Sequence, residues 1–376
     1  MTRNLSFTQI LSDFFTHPMR AFFLLASFCA IVACVSFYIA SDYVMFHKFV
    51  FLGLFVPLSY AGFLLTAVPD WANYPRNLSI NAYILFAIFL LCLGCGMYDV
   101  WLGFVFSLVF WLYLSGLCIY MLWLDRNDKN FSIVAILISF CVLNFAYIIS
   151  LNQTYLNAQI HLNIIAVIIV GYRVSIVIAK EALRANSEYE TAVFMPNFVY
   201  KNLSIFAICI GILASIFNFS TQVLGYIFLG CGFLLFARLY EWHFCILLKR
   251  HFILFYYVIA LCLSGGYIWL GVCYLLNFNT SYPTHLLAIN AVLATIMLIF
   301  NIAGLRHSFQ QLNFLALSKV ALTLLILAGV FRSIVSFYAF SFYILVPSIL
   351  VATAFLLWAL DFYAIFRDND FSPDPE

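Results

Sequence analysis

The 376-residue chain is 66% hydrophobic and 19% aromatic, with 9% charged residues and a formal net charge of +2. A water-facing domain carries about 25% charged residues, so this composition excludes a soluble globular protein. There is no basic run to suggest a nucleic-acid partner, and none is expected. The composition points to an all-α polytopic membrane protein with the lipid bilayer as its main partner.

Taken in order, the chain opens with 19 mixed residues, MTRNLSFTQILSDFFTHPM, that lack a small-residue cleavage site and so do not read as a signal peptide. A hydrocarbon core of about 30 Å takes about 20 apolar residues. Windows of that size fall near 20–40, 47–68, 78–97, 100–123, 131–150, 158–179, 199–217, 221–240, 252–276, 284–304, 315–337 and 340–363. Polar joints separate them, the longest being Lys180–Asn197. The second window sets the pattern: His47 and Lys48 precede an uninterrupted apolar run from Phe49 to Val68, and Pro69-Asp70-Trp71 ends it. Pro57 and the Gly265-Gly266 pair are candidate breaks in spans two and nine, and they do not occupy matching positions in two halves. The fold expected is one integral membrane domain of about twelve spans over 20–366. It is preceded by a cytoplasmic segment, 1–19, and followed by a disordered tail, 367–376.

Orientation follows from the basic residues. Of the seventeen Lys and Arg, fourteen lie at the termini or in the even-numbered joints; the exceptions are Lys48, Arg173 and Arg332. Positive charge favours the cytoplasm, so both termini are expected there. The eleven cysteines are scattered through apolar runs and read as small packing residues rather than a disulfide framework.

On this topology His47, His161 and His285 open spans two, six and ten at the outer mouth, each expected in the first turn of its helix. There the macrodipole disfavours imidazolium, and neutral imidazole is the form that binds metal or haem iron. The same residue type also serves as an amphipathic interfacial side chain, and both readings stay open. His17, His243, His251 and His307 lie at or near the cytoplasmic ends. Arg173 and Arg332 lie within spans, where a guanidinium needs an acid, carbonyls or an anion as partner. Cys92 and Cys95 form a CxxC with Met97 two residues on, a soft-ligand pattern suited to Cu(I) or to plain packing. No P-loop, dinucleotide fingerprint, HExxH or serine elbow occurs in a supporting context, and no catalytic base stands out.

The strings HPMRAFFLLA (17–26), GFLLTAVPDW (62–71) and VGYRV (170–174), with His285 and His307 22 positions apart and the late Arg332, resemble the NnrS family over about residues 14–365. The family consists of twelve-span bacterial inner-membrane proteins that bind haem and copper and belong to the nitric oxide response. The chain departs from its pattern at Met45-Phe46-His47-Lys48, where the family has His-x-His-Glu, at Arg306-His307-Ser308 near the end of span ten, and at Ser175, where a proline is usual. The resemblance implies a haem-binding, and as a second metal copper-binding, protein acting on nitric oxide or iron-nitrosyl species. His47 and His285 are the first expected ligands, then His161 and His307, with His17 after them. Met45 is a thioether candidate, and Arg20, Arg173 and Arg332 would hold propionates or fix the bundle. The rival expectation is a transporter or assembly factor that handles haem, copper or another small molecule.

Overall fold

The computed structural model describes residues 7–39, 42–75, 77–125, 130–184, 192–339 and 342–370. Twelve helices are long and apolar enough to cross a membrane, and no strand occurs among the described residues. Several ends differ from expectation. Span six is a continuous helix, Gln153–Arg184, longer at both ends than its apolar window. Asn152 starts it by accepting from the Thr154 N–H, and the charged Lys180–Arg184 stretch continues it past the hydrocarbon run. The segment before span one contains a helix, Phe7–Thr16, and the last span reaches Asp368. Residues 371–376 of the expected tail lie outside the described residues, as do Arg3, Arg76, Arg126 and Lys129 among the charges that set orientation.

The chain divides into two compact units. The first comprises Met1–Leu156, Ile302–Gln311 and Val351–Glu376. Its core is aromatic: Trp111 stacks on Phe140 with ring centres 4.4 Å apart, and Tyr60 meets both edge-on. Arg20 ties the amphipathic first helix to the end of the chain. Its guanidinium pairs with Asp13 and donates to the carbonyl of Asn369 at 2.9 Å.

The second unit comprises Asn157–Asn301 and Leu312–Leu350. Spans eight (Thr221–Trp242) and nine (His251–Leu276) approach closely through glycines. A Cβ added to Gly271 would stand 2.6 Å from the backbone nitrogen of Leu229, the close approach that small residues permit between membrane helices. Gly265-Gly266 does not break span nine, which is one helix from His251 to Leu276. Gly266 instead leaves room for Leu287, whose side chain would lie 2.7 Å from a Cβ there.

The interruptions fall elsewhere. Span two runs as a six-residue α-helix (Tyr43–Lys48), a seven-residue π-helical stretch (Phe49–Phe55) and a second α-helix (Val56–Trp71). Span ten repeats this layout: six residues (Ser281–Leu286), seven (Leu287–Leu293), then Ala294–Arg306. In each the histidine is the fifth residue, and in each the first π residue is lodged against glycine. Phe49 fills the notch formed by Gly53, Gly96 and Gly103, as Leu287 does at Gly266. Pro57, which has no N–H to give, lies just beyond the first π stretch rather than breaking the helix. Span six, the third with an opening histidine, is uninterrupted. A third π stretch, Phe331–Val335, holds Arg332. Such stretches often mark functional places in helices.

Candidate functional site

None of the three histidines lies in a first turn, because the helices start earlier than hydropathy suggests. Asp42 caps span two by accepting from the Met45 N–H, while the helix of span ten begins after Thr280 without a side-chain cap. His47 and His285 therefore sit in the second turn, and His161 deeper still in a helix that begins at Gln153. The macrodipole fades within one turn. What fixes the imidazoles is hydrogen bonding.

In the first unit, Nδ1 of His47 lies 3.0 Å from the carbonyl oxygen of Ala33. A carbonyl only accepts, so Nδ1 carries the proton, and in its neutral form the ring has its lone pair on Nε2. The ring is held against Phe37, 4.5 Å away between centres, and edge-on against Phe51 at 5.0 Å. A backbone carbonyl on the far nitrogen is the usual support of a ligating histidine. His47 thus fits an iron ligand in tautomer and in rigidity. Beside it, the Lys48 ammonium donates to Gln153 Oε1 at 2.7 Å, and the Gln153 amide donates to the Met45 sulfur at 3.4 Å. Lys48 and Met45 are thus joined through Gln153, a residue the sequence did not single out. Its only signal was its place at the start of span six.

In the second unit, Nδ1 of His285 donates to the Ser281 carbonyl at 2.7 Å, while Nε2 accepts from the Arg332 guanidinium at 3.1 Å. A guanidinium only donates, so both contacts demand the neutral ring protonated at Nδ1. This is the His47 tautomer in the His47 register, but the lone pair on Nε2 is engaged by Arg332. Ligation there requires Arg332 to move. Arg332 is 8% exposed, bonds the carbonyl of Tyr343 and lies over the Tyr343 ring, 3.5 Å from its centre. The Tyr343 hydroxyl in turn meets Ser281 Oγ at 2.8 Å. Neither Tyr343 nor Ser281 was legible as a site residue. Ser281 lies in the joint before span ten and Tyr343 at the start of the expected twelfth window, neither within a motif.

The remaining candidates have other settings. His161 is buried in an aromatic file, stacked on Phe228 and Tyr267, with Nδ1 3.0 Å from the Tyr267 hydroxyl. His307 is buried just past the end of span ten. His17 lies outside the spans beside Asp13, 3.8 Å away. Burial, helped by Arg20 and opposed by Asp13, brings its pKa down to about 4. Arg173 is half-buried in span six. A tight ion pair in the second unit, Arg238 with Glu241 at 2.6 Å, was not expected from the sequence. Tyr256 donates to the Gly171 carbonyl beside it.

The copper expectation finds less support. Cys92 is buried and its thiol donates to the Gly103 carbonyl at 3.1 Å, where spans three and four pack. Cys95 is partly exposed, and Met97 is 72% exposed. Among the described residues no group of three or more His, Cys, Asp or Glu is placed to hold a metal ion. The residues as arranged do not fit a copper centre of that kind.

A family model described as NnrS protein matches residues 13–369, nearly the whole chain. No curated protein matches the chain, and no solved structure does.

Proposed function

Because the chain belongs to the NnrS family, we propose that it is a haem-binding protein of the bacterial inner membrane acting in the response to nitric oxide, with His47 as an iron ligand. The observation that carries this reading is the anchoring of His47. Its Nδ1–H is spent on the Ala33 carbonyl and its ring is wedged between Phe37 and Phe51. A neutral imidazole held this way pays little entropy on ligation. Haem, when bound, supplies an iron centre that takes nitric oxide. His47 would hold the iron, while Phe37 and Phe51 hold the ring in place. His285 is the second ligand candidate, open once Arg332 leaves Nε2. Arg20 fixes the bundle through Asp13 and Asn369. His161, His307, His17 and Arg173 stand behind these.

His47→Ala tests the assignment in detergent-purified protein. The expected outcome is a loss of most of the haem per chain, or a marked Soret shift, with the protein still folded. Full haem stoichiometry and an unchanged Soret band would remove His47 from the ligand set.

The rival reading is a transporter or assembly factor, although the irregular stretches of spans two and ten do not fall at corresponding positions of two six-span halves. A deletion strain separates the readings. Growth loss under nitric oxide supports the first, and altered haem content without such sensitivity supports the second.

A further inference from the structure

Among the described residues, the second unit holds a positive charge that no carboxylate pairs. Arg332 lies within span eleven and is 8% exposed, yet it takes part in none of the ion pairs among the described residues. The two neighbouring residues outside the described set, Phe340 and Ser341, carry no carboxylate. Its partners are one carbonyl, one neutral imidazole and one aromatic face. All three are polar or polarisable, and none is an anion. A guanidinium in such a setting is costly unless a negative charge joins it.

We propose that Arg332, with His285, Ser281 and Tyr343 around it, binds a small planar monoanion, a carboxylate or an oxyanion of the same shape. Three features select this class. The guanidinium has five N–H donors, of which the Tyr343 carbonyl and His285 Nε2 use one each. A flat anion takes two parallel bonds from an edge of the fork. The Tyr343 ring covers one face at 3.5 Å, so the ligand approaches in the guanidinium plane, where a planar group fits better than a tetrahedral one. The hydroxyls of Ser281 and Tyr343, 2.8 Å apart, supply neutral donors beside it. The π stretch Phe331–Val335 makes this local shape, since an i→i+5 turn changes the direction in which Arg332 leaves its helix.

The charge deficit belongs to the chain and does not require haem. A free anion and a propionate of bound haem share this chemistry. The test uses full-length protein in detergent, titrated with sodium formate against sodium chloride at constant ionic strength and followed by thermal midpoint and calorimetry. The expected result is a saturable rise in midpoint with formate, absent with chloride. Arg332→Gln should abolish it. Arg332→Lys keeps the charge but loses the fork, and should weaken the apparent affinity by about tenfold or more. Because Arg332→Gln could fail to fold, Arg332→Lys and Tyr343→Phe, which keeps the ring and the carbonyl, carry the test independently. No formate response in the wild-type protein either with or without haem, or the same response in the Arg332 variants, would overturn the site. Repeating the titration with and without haem tells the two sources apart. A response only in haem-free protein means that a propionate is the resident carboxylate, and a response in both means a free anion. Haem content of the His47→Ala protein is read separately, so failure of the anion site leaves the haem reading untouched.

Discussion

A proton on Nδ1 of His47 and another on Nδ1 of His285 are placed by backbone carbonyls, and that leaves Nε2 as the acceptor of each neutral ring. At His285 the Arg332 guanidinium lies on Nε2. Residue-level chemistry also makes His17 a pH-sensitive element. Its pKa falls from 6.5 to about 4 in the fold, burial being the main cause. Between those values the unfolded chain binds the proton and the folded chain does not, so stability rises with pH there. The contribution is fully present above pH 6.5 and is lost as pH falls towards 4. Thermal midpoints measured from pH 7 to 4 should therefore drop more steeply for the native protein than for His17→Gln. Parallel curves would contradict this. Cys92 gives a further residue-scale expectation. Its thiol proton bonds the Gly103 carbonyl, so Cys92→Ser/Cys95→Ser should leave copper per chain unchanged; a loss of copper would restore the CxxC as a ligand pair.

At the scale of the element, the π stretches of spans two and ten depend on glycines of neighbouring helices. A Cβ at Gly96 would fall 2.2 Å from the Phe49 ring, and one at Gly329 would fall 1.9 Å from Oδ1 of the buried Asn290. Neither neighbour is the loose end of a flexible chain, because both are fully buried in their helices. Overpacking of this kind costs about 1–3 kcal/mol. Gly96→Ala and Gly329→Ala should each lower the thermal midpoint, whereas Gly94→Ala and Gly116→Ala, where a Cβ meets nothing within 4 Å, should not. Equal effects at all four positions would show that the π stretches are not seated as described.

At the scale of the whole molecule, the twelve spans were legible because apolar length is written directly in the sequence. The ends were less so. Helices begin outside the apolar windows, at Asp42 and Asn152 through side-chain caps and after Thr280 without one, which moved His47 and His285 out of the first turn. The π stretches left no trace, since no residue type selects an i→i+5 turn, and Gly265-Gly266 signalled a break where it provides a packing notch. The Arg332–His285 contact joins residues 47 positions apart through a joint that has no motif. Family membership, by contrast, was visible in short strings such as GFLLTAVPDW and is borne out along residues 13–369.

The central claim is that this chain holds haem despite the departures at Met45, Lys48 and Arg306. Its most direct test is an absorption spectrum of the detergent-purified protein, oxidised and reduced, with haem and copper quantified on the same sample. The expected result is a Soret band at near-stoichiometric haem that shifts on adding nitric oxide. A colourless protein from haem-replete cells would contradict it and move the function to transport or assembly.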